Sequence, residues 1–210
     1  MSAKPAFGLM AGLAIALLAA PGLGAGLARA ADQSSDPDWP CVQRKVPSLS
    51  AGQMWPGPPA EGNWEDDAEI ARLVPVMAAR RTTLEEVKTL AEGFAATVAP
   101  DQRPARMALL FDGVLARIDD ERHDVMGGIS RYAHNQVRLS DAVREKETAL
   151  AALKAAPEPD LDKVEEAQDH LNWDIRIYRD RAQSLTYVCE SPVLLEQRAF
   201  AIARILSEAS

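Results

Sequence analysis

Two cysteines and three histidines are the residues of this 210-residue chain best suited to redox or metal chemistry, and their spacing argues against both. Cys41 and Cys189 stand alone, with no CxxC pair and no cluster of histidines beside them. An isolated pair of this kind reads as one structural disulfide in an oxidising compartment. Two free thiols serving a metal or a redox cycle is the competing reading, and it needs partner ligands that the chain does not group. His123 and His134 share a helix face but stand roughly 16 Å apart at the helical rise, and His170 falls about 15 Å further along. Three separate surface histidines are expected, with no metal and no other cofactor. Met126, three residues after His123, reads as a packing residue.

Carboxylates gather at Glu65-Asp66-Asp67, Asp119-Asp120-Glu121 and Glu165-Glu166. The first group suits the positive end of a helix, and the others suit solvated faces. General acid–base work needs a pocket that shifts pKa values, and no such pocket is implied here. GxSxG, P-loop and GxGxxG motifs are all missing. The expectation is a protein without catalytic residues. One pair stands out instead. Trp173 and Ile177 lie four residues apart on one helical face, at the outward f and c positions of their heptad. An exposed tryptophan is a candidate anchor for a protein partner. The alternative is local, with Trp39 folding along the arm and covering it.

The elements that must position these residues are helices. Ala, Leu, Arg and Glu dominate while aromatics make up 5%, so the composition favours an all-α fold. From Pro104 to Ala156 there is no proline, and the seam Val125, Ile129, Tyr132, Gln136, Leu139, Val143, Lys146, Leu150, Leu153 steps alternately by four and three. Leu161, Val164, Gln168, Leu171, Ile175, Tyr178, Ala182, Leu185, Cys189 repeats the pattern after Pro157 and Pro159. A sustained 3.5-residue repeat is the mark of a coiled coil. Folding the two segments about a turn at 156–160 sets Val125 against Cys189, Ile129 against Leu185 and Leu139 against Ile175. The polar layers then match as Gln136 with Tyr178 and Lys146 with Gln168. Residues 123–189 therefore predict an antiparallel coiled-coil hairpin with arms about 45 Å long. Gly127 and Gly128 mark its neck, where the helix is expected to bend or to admit a neighbouring backbone. Residues 63–122 and 190–210 predict a small helical base. In it Asn63 caps a helix containing Pro75, Thr82 or Thr83 caps another, Pro104 opens the long helix, and Ser191-Pro192 starts the last one. Small flanking residues such as Ala133 and Ala142 suit close helix approach, or a flat face for another chain.

Residues 31–62 hold six prolines together with Trp39, Val42, Val46, Leu49, Met54 and Trp55. They read as an extended strap laid over the body and pinned by Cys41. Residues 1–30 read as a secretory signal peptide: Lys4, an uncharged run to Ala28, then Ala28-Arg29-Ala30. An uncleaved inner-membrane anchor facing the periplasm is the alternative, weakened by Pro21, Gly22, Gly24 and Gly26. Cleavage removes Lys4 and Arg29 from 23 basic residues and none of the 31 acids, leaving 21 minus 31, or −10. So acidic a chain makes nucleic acid a poor partner. These readings converge on an exported periplasmic protein, not inserted in the membrane after cleavage, that holds a protein partner through its hairpin. A homodimer is compatible with them. The alternative function is a chaperone-like or apolar-ligand-binding protein with a base cavity lined by Phe94, Leu109 and Phe111.

Overall fold

A computed structural model describes residues 38–210; the signal-peptide reading of 1–30 and the first residues of the strap lie outside the described residues. Among the described residues there are five α-helices and no strand, so the fold is all-α. They are α1 (Ala51–Met54), α2 (Ala68–Ala78), α3 (Leu84–Thr97), α4 (Arg103–Lys154) and α5 (Leu161–Glu208). The long helices pair with each other, α2 packs on α4, and α3 packs on α5.

Each helix start has a chemical cause. Thr83 accepts from the Glu86 backbone N–H while the Glu86 carboxylate accepts from the Thr83 N–H, a complete capping box. The Thr83 backbone N–H and then its hydroxyl, both donating to the Glu86 carboxylate, hold that carboxyl below its ordinary pKa. Pro104 stands in the first turn of α4, where its missing N–H costs nothing. Asp160 caps α5 by accepting from Lys163 N at 3.2 Å. Asn63 caps only a 3-10 turn, Trp64–Asp66, whereas Asp67 caps α2 by accepting from Glu69 N and Ile70 N at 3.1 Å. The expected start at Asn63 is thus corrected by one short turn.

The base core unites Ile70, Val74 and Met77 of α2, Val87 and Phe94 of α3, Leu110, Phe111 and Ile118 of α4, and Leu195, Ile202 and Leu206 of α5. Gly113 lets α4 come close to α2: a Cβ there would stand 2.6 Å from Val74 Cγ2 and 2.8 Å from Trp64 Cδ2. Residues 38–62 are not wholly extended, because α1 interrupts them. Met54 enters the core and Trp55 stacks on Phe111 at 5.3 Å between ring centres, so this segment contributes to the interior as well as covering it.

Arm and base are continuous helices, which corrects two sequence expectations. Helix α5 runs unbroken through Pro192, where a new start was expected. An interior proline costs about 3 kcal/mol. Burial of Pro192 itself and of Leu195, Ala199, Ile202 and Leu206 beyond it offsets that cost. The buried stripe also shifts phase here, stepping by three twice (Cys189, Pro192, Leu195) as α5 passes from a two-helix seam into a bundle. Helix α4 runs unbroken through Gly127 and Gly128, as the proline-free stretch implies, but among the described residues no backbone of another element approaches them. A Cβ at Gly127 would meet only the end of the flexible Arg131 side chain at 3.3 Å, and one at Gly128 the same side chain at 3.8 Å. Two glycines in a helix interior with open space around them are a local weakness. Gly127→Ala with Gly128→Ala should therefore raise stability by about 1–2 kcal/mol in urea unfolding.

Candidate functional site

The arm is built from its seam outward. Ile129, Ala133, Leu150 and Leu171 are buried between α4 and α5. The expected Gln136–Tyr178 layer forms, with Gln136 Nε2 donating to the Tyr178 carbonyl at 3.2 Å. Next to it Tyr132 Oη donates to the Arg181 carbonyl at 2.6 Å, and desolvation pushes the Tyr132 pKa up. The second layer, Lys146 with Gln168, does not form. Lys146 instead pairs with the Asp174 carboxylate, and Gln168 Oε1 accepts from Lys154 Nζ at 2.9 Å. A lysine swings its long stem toward the nearest carboxylate rather than stay in an apolar seam facing an amide.

At the neck the sulfurs of Cys41 and Cys189 lie 1.96 Å apart, at disulfide distance. They belong to a second apolar cluster with Trp39, Met126 and Ile129, against which Val125 and Leu185 pack. Trp39 is turned in and its Nε1 donates to the Gln43 carbonyl at 2.7 Å. It therefore sits about 24 Å rootward of Trp173, since Cys189 and Trp173 are sixteen residues apart on α5. It does not cover Trp173.

Sequence reasoning missed the group that anchors the chain beyond Cys41. Arg122 is 2% exposed; its Nη2 donates to the Val46 carbonyl at 2.5 Å and its Nη1 to Asp119 Oδ1 at 3.0 Å. Asp119 Oδ1 in turn accepts from Leu49 N at 3.2 Å. A signal was present, since extending the α4 heptad one step rootward from Val125 lands on Arg122, a charge at a seam position. His134, read as a lone surface residue, has its Nε2 2.5 Å from Asp38 Oδ1 and ties the strap to the arm. Arg198 closes the α2–α3 connection, donating from Nη2 to the carbonyls of Met77, Ala79 and Thr82 and from Nε to that of Ala78.

Trp173 is 60% exposed on α5 and Ile177 beside it is half-buried. The indole N–H of Trp173 has no hydrogen-bond acceptor among the described residues. An apolar ring with an unused donor, next to an aliphatic side chain and flanked by His170 and Arg176, can seat against a partner and also bond to it. Pro157 and Pro159 lie exposed at the tip between α4 and α5. Phe94 and Phe111, expected to line a cavity, are core side chains packed against one another's neighbours. Open apolar grooves lie on the base instead, one of about 490 Å³ between α2 and α3 beside Val76, Thr82 and Leu90, and one of about 480 Å³ beside Met54, Pro56 and Phe200. Among the described residues no three His, Cys, Asp or Glu side chains group as metal ligands, and no helix is long and apolar enough to cross a membrane. Compared with protein-family models, curated proteins and solved structures, the chain matches none.

Proposed function

We propose that this is an exported, periplasmic protein with no enzymatic activity, an interaction or assembly module that holds a protein partner on its hairpin arm. The observation that carries the reading is Trp173, a large aromatic side chain left 60% exposed on a helix whose seam residues Leu171 and Cys189 are buried. Burying one indole and the neighbouring isoleucine supplies the kind of contact that dominates interface energetics. Export is supported by the leader-like residues 1–30 and by the cysteine pair at disulfide distance. The two-helix arm offers a long face, which suits holding a macromolecule.

The test is recovery of partners from periplasm by the tagged protein. Trp173→Ala with Ile177→Ala should cut recovery of a specific partner at least about tenfold while leaving the melting temperature unchanged. Unchanged recovery contradicts the assignment of this face. If the recovered partner is the chain itself, light scattering on the wild type and the double variant will show a dimer that the variant loses.

A further inference from the structure

On the base, remote from Trp173, positive charge is concentrated where a chain of net charge −8 has least reason to gather it. Arg80, Arg81 and Arg117 line a cleft of about 430 Å³ at the C-terminal end of α2, and Glu121 is the one acid among its walls. Behind the wall, the guanidinium of Arg198 bonds the carbonyls of Ala78 and Ala79, which themselves line the cleft. It thereby neutralises the negative end of α2, which would otherwise repel an anion. Burial pushes the Arg198 pKa down and Glu121 holds it up. Glu121 also lies 3.9 Å from Arg80. One carboxylate therefore serves two arginines, and Arg81 and Arg117 have no carboxylate partner among the described residues. Both are exposed, and the packing of the base does not require their charge.

We propose that the cleft between Arg80, Arg81 and Arg117 is an oxyanion site that takes a phosphate group, either free or as the headgroup of an anionic phospholipid. Guanidinium forks match the oxygens of phosphate in pairs, and two unpaired forks facing one cleft supply four such donors without disturbing the fold. Glu121 keeps the site from being a general anion trap, because a ligand must outcompete it for Arg80.

The experiment is calorimetric titration with inorganic phosphate at constant ionic strength, on the wild type and on R81Q/R117Q. Saturable binding by the wild type is expected, weakened about tenfold or more in the variant, with equal melting temperatures without phosphate. Sedimentation with phosphatidylglycerol vesicles, against phosphatidylcholine vesicles, separates the sources. Capture by phosphatidylglycerol that the variant loses assigns a lipid headgroup; phosphate binding without vesicle capture assigns a free phosphate. No saturable phosphate response, or equal affinity in wild type and variant, overturns the proposal.

Discussion

Replacing Cys41 and Cys189 together by serine, or reducing the bond between them, should lower the free energy of unfolding by about 4–5 kcal/mol. The bond joins residues 148 apart in sequence, so it closes a loop that contains α1 to α4 and most of the arm. Its main effect falls on the unfolded chain, which loses the freedom to separate the two ends of that loop. The native contribution is local. Without the link, residues 38–45 keep the Trp39 side chain among Met126, Ile129 and Leu185, and the hydrogen bond between Asp38 and His134, but no covalent tie to the neck. Urea unfolding with and without a reductant reads the difference directly. A change below about 1 kcal/mol would mean that the unfolded chain is already held compact by other means.

Arg122→Ala is the second large effect, about 3 kcal/mol. Removing the guanidinium strips the Val46 carbonyl of its donor and leaves the Asp119 carboxylate without its cation in a partly buried site. The helical seam also loses the volume of a long side chain. Arg122→Lys keeps the charge but not the planar fork, and one ammonium cannot hold the Val46 carbonyl and Asp119 in the same geometry. It should recover only part of the loss. Hydrogen exchange gives the local signature, with faster exchange at Leu49 N, whose acceptor is Asp119, and little change in α3. Arg122→Ala combined with loss of the disulfide should destabilise by less than the two separate losses added together, since both fasten the same stretch of chain to the same neck. Full additivity would show that the two fastenings act independently.

The arm was legible from the sequence because an apolar repeat is a geometric constraint that each helix must satisfy separately. Gln136 meeting Tyr178 follows directly from the shared register of the two seams. The caps at Thr83 and Asp160 were legible for a similar reason, being satisfied within three residues. Features that depend on distant partners were not. Lys146 chose Asp174 because a flexible ammonium samples several neighbours, and register alone does not rank them. Pro192 reads locally as a helix start, yet the packing of Leu195 and Ile202 carries the helix through it. Gly127 and Gly128 suggested a close approach that belongs instead to Gly113, a lone glycine with nothing in its neighbourhood to distinguish it. Arg122 needed only one more step of the same repeat. Trp173 was readable as outward-facing, but whether Trp39 would cover it depended on where the strap turns in, and the strap turns in at the neck.

A photo-crosslinking benzoyl-phenylalanine at position 173, which keeps a large aromatic ring where the indole stands, tests most directly in living cells whether the arm holds a partner. Glu92, exposed on α3, serves as the control position. One discrete adduct is expected from position 173, lost when Ile177→Ala is added and not formed from position 92. No adduct at 173, or the same adducts from both positions, would contradict that role for the arm.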